Sequence, residues 1–315
     1  EEMRRQQLPH LPKTIVTSAL SRDDFITRAI SLGAVFYMVK PFEPEHLWEH
    51  IRDLQDSPSA LAPAARAQET PRVQSLDERL GSLFLAIGIP AHIKGYQYLL
   101  DAAVEYGVKH VINTTTAVSY GKPLSHPVSE NQEHRVEVSR NPVYALAKLM
   151  TEELGKIYAV QHNLQVNNVM VWYAYGDVIG GRNIRAMIRD AIEKGSIEVP
   201  AKSGGSFLQL DDFVSLVLAL FSSDVKGELF NAASIYLTWE DVARLITDLV
   251  NPEARVIAID ASEWKGSAFL TDDWPLSIEK AEKMLNFKTN LSREKAIANL
   301  SDALKISADK VRAQR

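Results

Sequence analysis

The sequence predicts an α/β protein: a partial, doubly wound parallel sheet with a small C-terminal lobe, preceded by a short β-α-β-α block. Three observations support this fold class. Strand and helix patterns alternate along most of the chain, which is typical of parallel sheets. A stretch at 56–75, rich in Ser, Pro, Ala and Arg, has no hydrophobic periodicity and is typical of a flexible linker. Finally, 315 residues, of which 46% are hydrophobic and 24% charged, can bury the core of more than one domain.

The front block, residues 1–55, contains two predicted strands and two predicted helices. A buried strand is predicted over 14–18, followed by a helix over 22–32 that ends at Gly33. A second strand is predicted over 34–39 and an amphipathic helix over 45–54. Two such strand-helix units are half of a small parallel-sheet domain. After the linker, residues 76–98 are predicted to form a separate helical segment.

Residues 99–315 are predicted to form one domain, entered through a helix over 93–106. Its other predicted elements are strands at 110–116, 165–172, 228–231 and near 197, and helices at 142–162, 182–194, 211–221, 238–250 and 278–285. We expect the glycine pairs at 180–181 and 204–205 to lie in loops. The long helix at 142–162 should pack on the sheet with its polar face outward, through its leucine and isoleucine side chains. These are Leu146, Leu149, Leu154 and Ile157.

Composition excludes several classes of function. A net charge of -5 gives no basic footprint for nucleic acid, so no nucleic-acid partner is expected. No apolar run reaches the roughly 18 to 20 residues that span a bilayer, and the first residues lack the apolar core of a signal peptide, so we expect a cytoplasmic protein without membrane contact. The chain has no cysteine, which excludes thiolate chemistry and cysteine-ligated metals. No metal site is expected.

A tyrosine and a lysine lie four residues apart in the long predicted helix. Tyr144 and Lys148 would therefore share one helix face, where the ammonium could lower the pKa of the phenol and fit it for general acid or base work. Thr116, at the end of the preceding strand, would place a hydroxyl beside that phenol. Taken alone, a Tyr-x-x-x-Lys pair is more often a chance pair on a helix face.

The order of these motifs is more specific than any one of them. A hydroxyl-rich strand end, Tyr120-Gly121, the Tyr144/Lys148 pair and Trp172-Tyr-Ala-Tyr-Gly176 follow one another. From about residue 99 onward the chain resembles the extended short-chain dehydrogenase/reductase family, in its NAD-dependent epimerase/dehydratase branch. Three later segments carry the same resemblance, namely Gln209-Leu-Asp-Asp-Phe213, Leu229-Phe-Asn-Ala-Ala-Ser234 and the segment 276–287.

This resemblance implies a site and its ligands. Thr116, Tyr144 and Lys148 would be the catalytic residues, with Tyr144 and Lys148 also contacting NAD. The tyrosine would exchange a proton while NAD exchanges a hydride, and the second lobe would bind a nucleotide sugar. Asn113 and Arg182 are candidate substrate residues, with capping or solvated roles as the alternative. In this family homodimers often form through the long helices.

The Gly-rich turn that binds the cofactor pyrophosphate in this family has no counterpart in the sequence, which contains no G-x-x-G-x-x-G. The resemblance therefore implies a truncated Rossmann-like domain that lacks its N-terminal cofactor-binding part. We expect such a domain to show weak activity or none.

The front of the chain resembles a different family. Ser18-Ala19 at one strand end and Lys40-Pro41-Phe42 at the next resemble the second half of a response-regulator receiver domain. There Ser18 and Lys40 would contact the phosphoryl group and Tyr37 would be the switching aromatic; alternatively, Ser18 and Lys40 only cap and solvate strand ends. The segment 87–96 resembles the start of the effector domain of sporulation response regulators. The chain is therefore identified as a chimera of two families.

Three functions are consistent with these patterns. The first is an NAD-dependent nucleotide-sugar epimerase/dehydratase of weak or no activity. The second is a non-catalytic chimeric interaction protein whose exposed sheet edges bind a protein partner. The third is a fragment of a transcription regulator. The front block could add its strands to the sheet of the enzyme-like part, but we expect it to pack separately across the linker.

Overall fold

The computed structural model describes residues 14–18, 36–39, 89–290 and 292–313. Its α-helices are α1 Ile89–Glu105, α2 Pro142–Gln161, α3 Arg182–Glu193, α4 Leu210–Phe221, α5 Trp239–Val250, α6 Glu279–Leu285 and α7 Arg293–Ala313. Its strands are β1 Thr14–Ser18, β2 Phe36–Val39, β3 His110–Thr116, β4 Gln165–Val171, β5 Tyr173–Tyr175, β6 Ser196–Pro200, β7 Gly204–Gln209, β8 Leu229–Ala232, β9 Ile235–Thr238, β10 Arg255–Ile259 and β11 Asp273–Trp274. Short 3-10 helices span Ala117–Tyr120, Val136–Val138 and Ala268–Thr271. The predicted helices and linker between 40 and 87 lie outside the described residues.

The main sheet is parallel and has the order β2-β1-β3-β4-β8. The expectation that the front block packs separately is wrong, because β1 pairs with β3 from Thr14 opposite His110 to Thr17 opposite Asn113. On its other side β1 pairs with β2, with Ser18 opposite Val39. The chain thus moves outward from β1 to β2 and then returns to the other side of β1 to form β3. The predicted α/β class with a parallel sheet is confirmed.

The C-terminal lobe contains two further groups of strands. Strand β7 lies between β11 and β5 and also pairs antiparallel with β9, while β6 pairs in parallel with β10. The prediction that Gly204 and Gly205 lie in a loop is wrong, since both belong to β7. A Cβ atom at Gly205 would overlap the indole of Trp172, and one at Gly204 would overlap the backbone of Leu237. Glycine is therefore needed here for close packing.

Helix α2 faces the sheet mainly with the side opposite to the predicted one, although Leu154, one of the four side chains expected inside, does pack against a buried cluster. Its buried residues are Ala145, Ala147, Lys148, Thr151, Glu152, Gly155, Tyr158 and Ala159. Leu146 and Ile157, expected to be inside, are exposed, and so are Met150 and Val160. Small side chains let the helix approach β3 and β4 closely, and its polar groups meet polar groups of β3. The outward face of α2 is consequently largely apolar, with the exposed Glu153 and its ion-pair partner Lys156 as its charged groups.

The described core consists of three clusters of buried side chains. The largest fills the C-terminal lobe around Trp239 and Trp274. A second lies between α1, α2 and the sheet, and includes Leu99 and Leu100. The third packs α4 against the opposite face of the sheet around Phe230. Both faces of the parallel sheet are thereby covered, as parallel sheets require. None of the described helices is long and apolar enough to cross a membrane.

Candidate active site

The candidate site lies where strand β3 ends and helix α2 begins. Thr116 is the last residue of β3, and its Oγ1 accepts a hydrogen bond of 3.5 Å from the backbone N–H of Val118. Asn141 caps α2, because its side chain accepts a hydrogen bond from the backbone N–H of Tyr144 at 3.3 Å, and Pro142 fits the first turn. This cap fixes Tyr144 in the first turn of the helix.

Lys148 lies one turn beyond Tyr144, as the spacing predicted. Its Nζ atom is 5.5 Å from the centroid of the Tyr144 ring, and the residue is only 3% exposed. Within the described part of the chain, this ammonium has no hydrogen bond or ion pair. Burial lowers the pKa of Lys148 to about 8, and the opposing attraction of Glu152 is smaller. The site therefore holds a buried donor that needs an acceptor.

The pKa of Tyr144 differs from the sequence-based prediction. We expected the lysine to lower it, but burial raises it, with Arg140 as the opposing charge. The prediction is wrong because withdrawing the phenolate from water outweighs the attraction of a nearby cation. The phenol is consequently protonated at neutral pH and can first act as an acid.

Arg140 was not singled out from the sequence. It lies four residues before Tyr144, and its Nη1 is 2.5 Å from a carboxylate oxygen of Asp272 in the C-terminal lobe. Its guanidinium carbon also lies 4.4 Å from the ring centroid of Phe269 and 5.1 Å from that of Trp172. These contacts tie the start of α2 to the second lobe. No local sequence pattern indicates them, because the partners are about 30 to 130 residues away.

Glu152 was also missed, although its spacing repeats that of Lys148. It is fully buried one further turn along α2. Its Oε1 accepts hydrogen bonds from the hydroxyls of Thr115 and Ser119, the latter at 3.1 Å. The sequence signal was available: Tyr144, Lys148 and Glu152 follow one another at intervals of four residues on one helix face.

The remaining predicted site residues lie apart from this cluster. Asn113 is buried in β3, where its Nδ2 donates a hydrogen bond of 2.6 Å to Oδ1 of Asn168 in β4. Arg182 is exposed at the first position of α3. Ser18 ends β1, and Tyr37 lies in β2 opposite Val16. Lys40 lies outside the described residues. The roles assigned to these five residues stay predictions.

The topology places Thr116 at the end of a strand that adjoins the point where the strand order reverses. The strand order reverses at β1, with β2 on one side and β3 on the other, and ligands of open α/β sheets bind at the carboxyl ends of the strands where the order reverses. The buried, unpaired ammonium of Lys148 lies near this edge and fits a ligand with hydroxyl acceptors, such as the ribose of a dinucleotide. The donors near α2 therefore fit the nicotinamide half of NAD.

Comparison with protein families gives one match, over residues 88–233, to the NAD dependent epimerase/dehydratase family. This range includes Thr116, Tyr144 and Lys148 and supports the resemblance inferred from their order. It ends directly after β8 of the main sheet, so β9, β10, β11 and helices α5 to α7 lie beyond it.

Solved structures resemble this chain over a longer range. WbmG of Bordetella bronchiseptica, in complex with NAD, is 14% identical with a TM-score of 0.68, covering 96% of each chain. RMD of Pseudomonas aeruginosa, complexed with NADPH, is 16% identical with a TM-score of 0.66 and coverages of 95% and 99%. UDP-glucose 4-epimerase of Thermotoga maritima, with UDP-glucose, is 16% identical with a TM-score of 0.64 and coverages of 96% and 99%.

These structural likenesses establish the fold. The chain has the Rossmann-like fold of the epimerases and dehydratases, and the match extends over nearly the full length of both partners. A match of that extent includes the front segment as well as the part from residue 99 onward. The fold likeness is thus wider than the region in which the sequence motifs lie.

Proposed function

We propose that this chain is a nicotinamide-dependent protein of the nucleotide-sugar epimerase/dehydratase type, with weak turnover. The observation that carries this proposal is the pairing of a protonated Tyr144 with a buried, unpaired Lys148 beside the strand end that carries Thr116. Turnover is weak because the sequence has no Gly-rich turn for the cofactor pyrophosphate.

Each residue has a distinct part in this chemistry. A bound nicotinamide supplies hydride transfer. The Tyr144 phenol gives a proton to, or takes one from, the substrate oxygen at the carbon that exchanges hydride. The Lys148 ammonium donates to ribose hydroxyls and stabilises the phenolate when it forms. The Thr116 hydroxyl donates to the same substrate oxygen and orients it. A nucleotide sugar would bind in the second lobe, near the stacked aromatic side chains of Trp172 and Phe269.

We also propose that the front part derives from a response regulator and replaces strands of the family's own cofactor-binding half. Strands β1 and β2 keep the adjacency that two consecutive strands of a receiver-like block would have. Their pairing with β3 then extends a truncated Rossmann-like sheet. This origin is consistent with a strand order that reverses at β1 although the Gly-rich motif is missing.

Thermal unfolding with and without saturating NAD and NADH tests the proposed function. We expect a higher unfolding midpoint with the cofactor, because a ligand that binds only the folded state stabilises it. Lys148→Met should abolish this rise. Tyr144→Phe should keep it while lowering hydride exchange with nucleotide sugars at least about 100-fold. Tyr98→Phe, which changes an exposed tyrosine of α1, is the matched control. A cooperatively unfolding sample whose midpoint neither cofactor moves would overturn the proposal.

A second proposed function is self-association through α2. The outward stripe of this helix consists of Leu146, Met150, Ile157 and Val160, which are 37%, 39%, 47% and 84% exposed. The stripe is nearly symmetric about Glu153, so an antiparallel copy would set Leu146 against Val160 and Met150 against Ile157. Two-fold dimers need such a self-complementary surface. We therefore propose a second copy of this chain as the partner, and the mass of the protein in solution tests it.

A further inference from the structure

The acid–base chemistry proposed above does not use the carboxyl of Glu152, although it is fully buried one turn beyond Lys148. Its Oε1 already accepts from the two hydroxyls of Thr115 and Ser119. Its Oε2 is buried and has no hydrogen-bond partner among the described residues. An ionised oxygen left bare in this way is costly, so the favoured form carries the proton on Oε2.

The imidazole of His134 faces this oxygen. Its Nε2 is 3.9 Å from Oε2 of Glu152, and its Nδ1 is 3.1 Å from the backbone carbonyl oxygen of Ser119. Because a carbonyl only accepts, Nδ1 carries the hydrogen, and Nε2 of the neutral ring presents its lone pair to the carboxyl. The side chain of His134 is 18% exposed. The ring thus lies between the buried carboxyl and solvent, at a distance from Oε2 that is too long for a hydrogen bond.

We infer that the ionisation of Glu152, whose unpartnered Oε2 faces His134 across 3.9 Å, sets the charge on Lys148, which makes Glu152 a positioning residue of the site. With the proton on Oε2, the pair is neutral and Lys148 faces an uncharged acid. When Oε2 loses that proton to solvent, which requires Nε2 of His134 or a water molecule to come within hydrogen-bond distance of it, a carboxylate remains and holds Lys148 as an ammonium. The importance of Lys148 rests on the proposed function, whereas the coupling itself requires no cofactor.

The electrostatics support a coupling near neutral pH. Burial raises the pKa of Glu152 to about 7, against the two hydroxyls that lower it, and burial lowers the pKa of His134 and brings that of Lys148 to about 8. The charged or titratable groups around Glu152 are Lys148, Glu153 and Lys156 on α2, Tyr96 on α1, Tyr120 on the 3-10 helix, and His134.

Most of these neighbours do not compete with the pair. Glu153 and Lys156 are at the surface and form an ion pair of 2.7 Å with each other, so their effects on Glu152 largely cancel. Burial raises the pKa of Tyr96 and of Tyr120, so both stay neutral in this range. Lys148 and His134 are the groups whose charge can change together with that of Glu152.

An NMR titration of the full chain with isotope-labelled lysines tests this inference without cofactor. Glu152→Gln keeps the shape of the side chain but cannot ionise, so the acid dissociation constant of Lys148 should rise at least about tenfold. Glu153→Gln, the same change at the next and exposed position, should leave it within about twofold. Glu152→Asp should return the titration of Lys148 toward that of the parent chain. If Glu152 acted only through packing, glutamine, which keeps its shape, would replace it better than aspartate, which keeps its charge.

An unchanged Lys148 titration in a folded Glu152→Gln variant would overturn the inference. If that variant does not fold, Ser119→Ala decides instead. Loss of this hydroxyl disfavours the carboxylate, so the ionisation of Glu152 sensed at His134 should move to higher pH and the acid dissociation constant of Lys148 should rise; titrations that stay in place would overturn the inference as well. The two tests can fail independently. If the parent chain binds no NAD, the proposed function is wrong, but the expected titrations of Glu152, His134 and Lys148 are unchanged.

Discussion

At the scale of single residues, the site is defined by ionisable groups that burial moves away from their charged forms. The same physical effect has opposite consequences for an acid and an amine: it raises the pKa of Tyr144 and Glu152 and lowers that of Lys148. A phenol in this setting gives up a proton only when its phenolate is stabilised. The neighbouring ammonium can supply that stabilisation only while it remains charged. The protonation state of Lys148 therefore determines whether Tyr144 can give up its proton.

The raised pKa of Glu152 predicts a specific pH dependence of stability. Its folded value is about 7 against an ordinary 4.5, so the folded chain binds more protons than the unfolded chain between these pH values. The stabilisation by the neutral acid is complete below pH 4.5 and is lost as the pH rises through about 7. Relative to Glu152→Gln, the free energy of unfolding of the parent chain should fall by about 3 kcal/mol across this range. Urea titrations at several pH values measure it, and parallel pH profiles for the two proteins would contradict it.

At the scale of elements, the sequence predicted those helices and strands whose ends and hydrophobic pattern are marked by residues within or next to the element itself. Strand β3 was predicted at the bounds that the structure shows, because a run of β-branched residues follows a glycine stop. Helix α2 was predicted to within one residue, because Asn141 and Pro142 mark its start. The Tyr144/Lys148 pair could be found for the same reason, since a spacing of four residues on one helix is a local fact.

Elements and faces that depend on distant partners were not predicted. Strand β7 begins Gly-Gly-Ser and has no strand pattern there; its pairing with β9 and the indole of Trp172 over Gly205 make it a strand. The inward face of α2 was misassigned because leucines usually point to the core. Here the polar Asn113 and Thr115 of β3 lie under the helix, so the polar face is inside and the apolar face outside. The partners of Arg140 were equally out of reach of local reasoning.

The pairing of β1 with β3 leads to a prediction for a single strand. β1 is central, with β2 on one side and β3 on the other, so every inner residue contributes to a ladder. Val16→Pro removes a backbone N–H from such a strand and should lower the free energy of unfolding by about 3 kcal/mol or more. Hydrogen exchange should show faster exchange of the β3 amides at 110–116. Val16→Thr keeps the N–H and is the control. If β3 exchanged at the parent rate in the proline variant, the front strands would not belong to this sheet.

At the scale of the whole molecule, the front strands and the later strands meet at one edge of the sheet. All five strands of the main sheet are parallel, so their carboxyl ends point the same way, and the end of the front strand β1 lies beside the strand end that carries Thr116. The second lobe is attached to this edge through Arg140 and Asp272. A single site can therefore draw on the front block, the central sheet and the C-terminal lobe. Helices α1 and α2 cover the sheet on the side away from α4, and α2 carries the apolar stripe.

That stripe predicts how the molecule associates. In an antiparallel dimer built on α2, Ile157 would be buried near the two-fold axis, and a glutamate there would enter the interface twice. We expect Ile157→Glu to weaken the dimer at least about 100-fold, because each buried and unpaired charge opposes association. Ile306→Glu is the matched control, since Ile306 on α7 is 41% exposed and lies on another helix, against 47% for Ile157. Sedimentation velocity over a concentration series measures both variants. A parent chain that stays monomeric throughout, or a dimer that Ile157→Glu leaves intact, would show that this face does not join two copies.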